Sequence, residues 1–148
     1  MQTRLRTARP DDFQFAFEAK RAALGPHIAV RWGWDEELQK EIHRKRWNER
    51  PWSIIECGDQ AIGTVSVEEK GDHIRFGEFY LLPAFQRQGI GSSLLASVLD
   101  SSDAQRIPVR LEYLKWNPVG SLYLRHGFKV VSENDTHFFL LREPDART

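Results

Sequence analysis

The chain has 148 residues, of which 28% are charged and 41% hydrophobic, and this composition predicts one globular domain over residues 1–148. Lysine plus arginine and aspartate plus glutamate both number 21, so the formal net charge is zero, which disfavours general nucleic-acid binding. No stretch approaches the roughly 20 apolar residues of a membrane span, and no secretory signal is visible, so we expect a cytoplasmic protein with no membrane partner.

The first half of the sequence predicts a strand, two helices and two strands, over residues 3–8, 9–24, 35–50, 51–57 and 61–68. We expect Gly25-Pro26 to end the first helix and residues 27–35 to form a loop. Asp35 is in position to cap the second helix, because an aspartate oxygen can accept from the first free amides. A hairpin turn at Gly58-Asp59 joins the two strands.

The second predicted helix carries a basic run, His43-Arg44-Lys45-Arg46. A charged run of this kind usually forms a solvated helix face, and that is the simpler interpretation. The alternative is a surface that binds an acceptor substrate or a partner. We interpret His43, like His137 further on, as a structural or surface residue.

Residues 77–100 predict a strand, a glycine turn and a helix, and the rest of the chain is organised around them. Residues 79–82 form an apolar, aromatic run suited to a buried strand, which Pro83 ends because proline cannot donate to a strand ladder. After the turn, apolar residues recur at helical spacing: Ile90, Leu94, Leu95, Val98 and Leu99. A polar loop over residues 101–105 is expected to follow.

The last part of the chain predicts a strand, a short helix and two more strands. The strands cover residues 108–114, 128–131 and 137–141. The short helix is expected to begin at Asn117-Pro118, with asparagine at the cap and proline at the first position, and to end before Gly127.

The glycine turn reads Gln86-Arg87-Gln88-Gly89-Ile90-Gly91 and leads directly into a helix. Amides in the first helical turn lack partners within the helix, and the helix dipole favours negative charge there. Glycine allows an anion to approach the backbone closely, and the neighbouring side chains can add donors. The turn therefore predicts a phosphate or pyrophosphate site. The alternative is a tight turn that uses glycine only for its backbone freedom.

Two segments carry a resemblance to a known family. The turn lacks the lysine of a P-loop and the third glycine of a dinucleotide fingerprint, but it resembles the acyl-coenzyme A motif [QR]-x-x-G-x-[GA] of the GNAT superfamily of N-acetyltransferases. Gln86, Gly89 and Gly91 occupy its fixed positions. The segment that begins at Asn117 resembles that superfamily's N-x-x-[AS]-x-x-x-[YF]-x-x-x-G-F pattern, although its small residues and its asparagine-to-tyrosine spacing of six depart from it.

The resemblance covers roughly residues 3–142 and implies the fold. It implies an α/β (α+β) GNAT fold, in which a mixed, mostly antiparallel seven-stranded sheet is flanked by about four helices. The implied order of elements is β-α-α-β-β-β-α-β-α-β-β. This is also the order that the local patterns predict.

The resemblance also implies acetyl-CoA as co-substrate and names residues that would hold it. The pantetheine arm would pair with the backbone of Leu81 and Leu82 as an added strand. Asn117 would contact the pantetheine, or would only order the start of its helix. The pyrophosphate would lie on the turn formed by Gln86, Arg87, Gln88, Gly89, Ile90, Gly91 and Ser92.

Two further residues are candidates for the chemistry. A free thiol has a pKa of about 8.5, so the leaving sulfur benefits from a proton, and Tyr123 is the implied donor; alternatively its ring only packs in the core. An alkylamine with a pKa near 10.4 must lose a proton, and Glu78 could take it through water. Glu112 is the competing base. The alternatives are that either carboxylate only forms a salt bridge, and that the proximity of the amine to the thioester makes a dedicated base unnecessary.

We expect the acceptor pocket to use Arg31, Trp32, Trp34 and Glu112, with packing of the two early helices as the alternative role of the tryptophans. The histidines show no ligand spacing, so we expect no metal. Cys57, the only cysteine, excludes an internal disulfide and is interpreted as a buried strand residue.

The resemblance implies an N-acetyltransferase that moves an acetyl group from acetyl-CoA to a primary amine of a small molecule or peptide, directly, in a ternary complex. The rival hypothesis is a non-catalytic acyl-CoA-binding or regulatory module that keeps the fold. The acceptor is not predicted, and a homodimer is left open.

Overall fold

The computed structural model describes residues 2–145, apart from the side chains of Arg31 and Trp32. Eleven helices and strands follow one another in the predicted order, and two short 3-10 helices, Pro10–Asp12 and Pro83–Phe85, lie between them. The elements are β1 (Arg4–Thr7), α1 (Phe13–Trp32), α2 (Glu36–Glu49), β2 (Ser53–Cys57), β3 (Gln60–Glu69), β4 (Ile74–Leu81), α3 (Ile90–Gln105), β5 (Val109–Leu114), α4 (Gly120–Arg125), β6 (Lys129–Glu133) and β7 (His137–Arg142).

The seven strands form one sheet in the order β1-β2-β3-β4-β5-β7-β6. The pairs β1–β2, β2–β3, β5–β7 and β6–β7 are antiparallel, whereas β4 and β5 are parallel, with Ile74 opposite Val109. The predicted fold class, a mixed and mostly antiparallel seven-stranded sheet with four helices, is therefore confirmed.

The chain divides into two compact units. The first comprises Met1–Ser66 and Glu78–Arg87, and its fully buried side chains include Phe17, Ile54, Ile62 and Val65. The second comprises Val67–Gly77 and Gln88–Thr148, and its fully buried side chains include Leu95 and Val109. The single domain over residues 1–148 stays a prediction.

The prediction that Gly25-Pro26 ends the first helix is wrong, because α1 continues to Trp32. Proline removes one helical hydrogen bond, but the preceding glycine has no Cβ to clash with the proline ring. Leu24 and Ile28 are both buried and lie on either side of Gly25-Pro26, so their packing favours a continuous helix. The helix ends at Gly33, whose φ of 74° only glycine adopts readily, and residues 27–32 are therefore not a loop.

The prediction of a polar loop over residues 101–105 is also wrong, because α3 extends to Gln105. Its last turn is polar, but its side chains form hydrogen bonds with other parts of the protein. Ser102 is fully buried and its hydroxyl donates to the carbonyl of Ile107 at 2.5 Å. Asp103 accepts from the guanidinium of Arg142 on β7, also at 2.5 Å, so tertiary contacts keep this turn helical.

The cap predicted at Asp35 is confirmed, since its Oδ1 accepts from the Leu38 amide at 3.1 Å. The helix α2 ends at Arg50, whose backbone is extended, and Trp52 donates from its indole to the carbonyl of Arg46 at 3.1 Å. This bond fixes the last turn of α2 against the start of β2. None of the helices in residues 2–145 is both long enough and apolar enough to cross a bilayer.

Candidate active site

The glycine turn has an unusual backbone over a few residues. Arg87 and Gly89 both have positive φ values, 62° and 81°, and Gly89 is the N-cap of α3. The first helical hydrogen bond runs from the Ser93 amide to the Gly89 carbonyl at 3.0 Å. The amides of residues 90–92 consequently have no acceptor inside the helix.

The surroundings of these amides suit a negative charge. The first turn of α3 contains no acidic residue, and its N-terminus has no side-chain cap. Gly89 is exposed, and a Cβ added to it would meet nothing within 4 Å. Free amides at the positive end of a sixteen-residue helix, with Arg87 exposed two residues before, can bind a phosphate group.

Some backbone groups at the end of the strand that precedes the turn are already hydrogen-bonded within the protein. The Leu82 amide donates to the Ile62 carbonyl on β3 at 2.9 Å, so it faces β3. Because successive residues of a strand point to opposite edges, the backbone groups of Leu81 face the other edge. The Leu81 carbonyl accepts from the side-chain amide of Gln86 at 2.9 Å, which ties the turn back to the strand.

Glu78 lies at an irregular point of β4 and is buried. Its φ is 48°, which is rare for a residue with a side chain, and its carbonyl accepts from the Thr64 hydroxyl at 2.8 Å. Its carboxylate oxygen Oε1 forms an ion pair with Arg50 and lies 3.8 Å from Nη1 of Arg46. The Tyr80 hydroxyl donates to Oε2 at 3.2 Å, so the two side chains share a face of the strand.

The close approach of β3 to β4 depends on Gly63, for which the sequence analysis predicted no role. A Cβ on Gly63 would lie 2.4 Å from the Tyr80 carbonyl oxygen and 3.0 Å from the Leu81 side chain. No real Cβ atom approaches a backbone oxygen that closely, so only glycine fits. Gly63 thus allows the strand that carries Glu78 and Tyr80 to lie against β3.

Lys20, on α1, is a third basic residue of this region. It is buried, with 3% of its surface exposed. Burial, and then the positive charge of Arg46, lower the pKa of Lys20 to about 8, and the negative charge of Glu78 opposes both effects. No sequence pattern predicted a role for this residue, because a single lysine on a helix is normally solvated.

The interpretation of residues 43–46 as a solvated face is only half right. Arg44 and Lys45 are exposed, but His43 is buried and Arg46 turns toward Glu78. The Nε2 atom of His43 lies 3.2 Å from the carbonyl oxygen of Phe13, and burial lowers the pKa of His43. His43 is therefore structural, as expected, and keeps a neutral ring at neutral pH.

Tyr123, on α4 in the second unit, is buried among aromatic rings. The ring centroids of Tyr113, Phe128 and Phe76 lie 5.6, 5.9 and 6.2 Å from its own. Burial, and then the neighbouring Tyr113, raise the pKa of the Tyr123 hydroxyl, so it keeps its proton at neutral pH. The hydroxyl forms no hydrogen bond to another residue within the described chain.

Gly120 and Asn117 explain the start of α4. A Cβ on Gly120 would lie 2.3 Å from the Tyr113 hydroxyl oxygen, so the small residue leaves room for that ring. The Asn117 Oδ1 accepts from the Val119 amide at 3.0 Å, which forms an Asx turn before the helix. The N-cap is Val119 and not Asn117, and the helix begins at Gly120, two residues after the predicted first position, Pro118.

The four predicted acceptor residues are in different surroundings. Trp34 is half-buried, donates from its indole to Glu36 at 2.8 Å and lies 6.2 Å from the Phe17 ring, so packing accounts for its contacts. Glu112 is exposed on β5, opposite Phe139 on β7. Arg31 and Trp32 belong to the last turn of α1, and their side chains lie outside the described residues.

Cys57 lies at the end of β2, as a strand residue, but is half-buried instead of buried. Among residues 2–145, no group of three or more histidine, cysteine, aspartate or glutamate side chains is arranged to hold a metal ion.

Comparison with known families identifies the chain. A family model described as "Acetyltransferase (GNAT) domain" matches residues 48–130, which is more than half of the sequence. The protein therefore belongs to the GNAT acetyltransferase family. A comparison with curated proteins found no match.

Solved structures with the same fold include several acetyltransferases. PaiA N-acetyltransferase from Thermoplasma acidophilum, in complex with coenzyme A, superposes with a TM-score of 0.76 at 21% identity, over 97% of this chain and 99% of that one. The ribosomal-protein-S18-alanine N-acetyltransferase from Escherichia coli gives 0.69 at 14% identity, over 99% and 97%. The yncA protein of Salmonella typhimurium, with its cofactor acetyl-CoA, gives 0.61 at 19% identity, over 100% and 97%.

Proposed function

We propose that this protein is an N-acetyltransferase that transfers the acetyl group of acetyl-CoA directly to a primary amine of a small molecule or peptide. The observation that carries the proposal is the start of α3, where three amides without helical acceptors follow the exposed Gly89. Membership of the GNAT acetyltransferase family supports it. Coenzyme A and acetyl-CoA are bound in two of the structures with the same fold.

The coenzyme would use the groups that the resemblance names. The amides of Ile90, Gly91 and Ser92 would bind the pyrophosphate, and the exposed Gln88 and Arg87 would add donors. The pantetheine would pair with Leu81, whose backbone groups face the edge of β4 away from β3. The Leu82 amide and the Gln86 side chain are already bonded within the protein, so their part is to shape the turn.

The reaction needs one proton acceptor and one proton donor. The neutral amine nitrogen attacks the thioester carbonyl carbon, a C–N bond forms and the C–S bond breaks, which yields the amide and the thiol of coenzyme A. Glu78 is our candidate to take the amine proton through water. Tyr123 is our candidate to give a proton to the sulfur, since its raised pKa keeps the hydroxyl protonated. No acyl-enzyme on Cys57 is needed.

Of the two roles predicted for Asn117, we assign it the ordering of the chain before its helix. Its Oδ1 is engaged with the Val119 amide, so we propose that it orders the turn before α4. Its side-chain amide group remains for the pantetheine. The expected cytoplasmic location and a homodimer stay predictions.

Calorimetric titration with acetyl-CoA tests the proposal, with desulfo-CoA and ATP as controls. We expect saturable micromolar binding by the wild-type protein. Gly89→Val should abolish it, because a branched side chain at a φ of 81° is strained and covers the amides. Gly58→Val is the matched control, since Gly58 is also exposed, has a φ of 61° and lies in the turn between β2 and β3.

Undiminished binding by Gly89→Val, with Gly58→Val unchanged, would reject the turn as the pyrophosphate site. If acetyl-CoA binds, thiol release is then followed in the presence of a panel of amines. Binding with no thiol release from any amine would favour the rival, a non-catalytic acyl-CoA-binding or regulatory module.

A further inference from the structure

The first unit contains a partly buried cluster whose charges do not balance. Arg50 forms an ion pair with the carboxylate of Glu78, Arg46 lies 3.8 Å from the same oxygen, and the charge of Lys20 interacts with all three, so three basic side chains accompany one acid. The nearby His43 does not add to the charge, because burial lowers its pKa. We call Lys20, Arg46, Arg50 and Glu78 the basic cluster.

The excess of positive charge is costly for the free protein. Burial of an ammonium group is unfavourable, and like charges nearby add to the cost. Burial and Arg46 together lower the pKa of Lys20 to about 8, which is the measure of this cost in the free protein. A bound anion would reduce it, because it would supply negative charge.

The guanidinium groups of the cluster are partly exposed and have N–H donors that Glu78 does not use. Nη1 of Arg50 forms an ion pair with Oε1 of Glu78, and Nη1 of Arg46 lies 3.8 Å from the same oxygen, which is too far for a hydrogen bond. Their side chains are 20% and 33% exposed, whereas that of Glu78 is 3% exposed. A guanidinium presents five N–H donors in a plane and matches the oxygens of a carboxylate or phosphonate.

We propose that the acceptor amine carries an oxyanion group, and that Arg46 and Arg50 bind this group while Glu78 faces the amine. This inference rests on the proposed function and narrows its substrate class to small zwitterions, such as amino acids or aminophosphonates. Once the amine has lost its proton, the acceptor carries one negative charge, and this charge offsets one of the two surplus positive charges of the cluster. Lys20 strengthens the positive potential.

A thiol-release assay with acetyl-CoA tests the substrate class. The panel contains the common amino acids, the carboxamide of each, and aminomethylphosphonate with its homologues. For acceptors that react, we expect kcat/KM to be about tenfold or more higher for the acid than for its carboxamide, since a charge-assisted hydrogen bond is lost with the charge. The carboxylate and phosphonate arms identify which oxyanion the site prefers.

Arg46→Gln should raise KM for the preferred acid about tenfold or more and should remove its advantage over the carboxamide. Arg44→Gln is the matched control, because it removes the same charge from the same helix at an exposed position that faces away from Glu78. Equal reaction of acids, carboxamides and plain alkylamines in the wild type would overturn the inference and leave the proposed function standing.

Failure of the proposed function has a different signature, namely no binding of acetyl-CoA. The inference is then decided by thermal unfolding with sodium acetate and sodium phosphate as probes, against sodium chloride at equal ionic strength. A higher Tm with either probe in the wild type and in Arg44→Gln, but not in Arg46→Gln, supports the oxyanion site. The same Tm in all three salts overturns it.

Discussion

Glu78 and Tyr123 are both buried and both are candidates for proton transfer, yet their surroundings are opposite in kind. Glu78 lies among three basic side chains and a tyrosine hydroxyl, so its charge is matched by ions and hydrogen bonds. Tyr123 lies among aromatic rings, and its raised pKa reflects the lack of any group that would stabilise a charge. An acid must keep its proton at neutral pH, and the surroundings of Tyr123 favour this state.

The largest effect should come from removing the one acid of the basic cluster. Glu78→Gln leaves three cations without a counter-charge, and we expect the free energy of unfolding to fall by about 3 kcal/mol or more. Urea denaturation measures this loss. Glu112→Gln is the control, because Glu112 is exposed and its replacement should cost less than about 0.5 kcal/mol. Equal stability of the two variants would mean that solvent, and not Glu78, balances the cations.

Removing Lys20 should have the opposite sign. In the folded state its pKa is lowered from 10.5 to about 8, so at neutral pH the buried charge opposes folding by about 3 kcal/mol. Arg46 and Arg50 add to this opposition, Glu78 offsets part of it, and the neutral His43 contributes little. Lys20→Met should therefore raise the free energy of unfolding at pH 7.

The gain from Lys20→Met should depend on pH in a defined direction. Between pH 8 and 10.5 the unfolded chain binds a proton that the folded protein has released, so the wild type gains stability as the pH rises through this window. The difference between the variants should be full below pH 8 and shrink toward pH 10.5, as urea titrations at each pH would measure. A difference that stays constant with pH would contradict the buried charge.

Tyr123→Phe tests the aromatic region by removing only the hydroxyl. The ring contacts remain, so we expect little loss of stability, but turnover should fall by about 10- to 100-fold because the sulfur loses its proton donor. The calorimetric affinity for acetyl-CoA should change much less. Tyr113→Phe, on the half-buried neighbouring ring, is the control. Turnover equal to that of the wild type would reject Tyr123 as the acid.

The smallest expected effect concerns packing among the rings. Gly120→Ala places a methyl group against the Tyr113 hydroxyl, where the ideal Cβ would lie 2.3 Å away, so the ring must shift. We expect a loss of about 1–2 kcal/mol in urea denaturation. Ser121→Ala, exposed on the same helix, should be close to neutral. No loss for Gly120→Ala would show that the Tyr113 ring is free to move.

The sequence predicted the elements that local signals define. The run of apolar residues before Pro83 and the glycines after it placed a strand, a turn and a helix, and the order of all eleven elements was correct. The errors fell where tertiary packing outweighs local preference. Leu24 and Ile28 keep α1 continuous past Gly25-Pro26, and Arg142 holds the polar end of α3.

The basic cluster could only be predicted in part. His43, Arg46 and Arg50 follow a spacing of i, i+3 and i+7, which places them on one face of α2 and could have separated them from Arg44 and Lys45. Lys20 and Glu78 are far away in the sequence, and no pattern within one element links them. The positive φ of Glu78 is equally unpredictable, since glutamate has no preference for that conformation.

The positive φ values of Arg87 and Gly89 have a consequence for how a ligand would be received. A non-glycine residue in this conformation costs about 1 kcal/mol or more, and the chain accepts that cost when it folds, before any ligand arrives. The amides that begin α3 are therefore already aligned in the free protein. An anion would bind to amides that are already in position, so the entropy cost of ordering the loop would not reduce its binding free energy. The turn should therefore keep its shape when the ligand leaves.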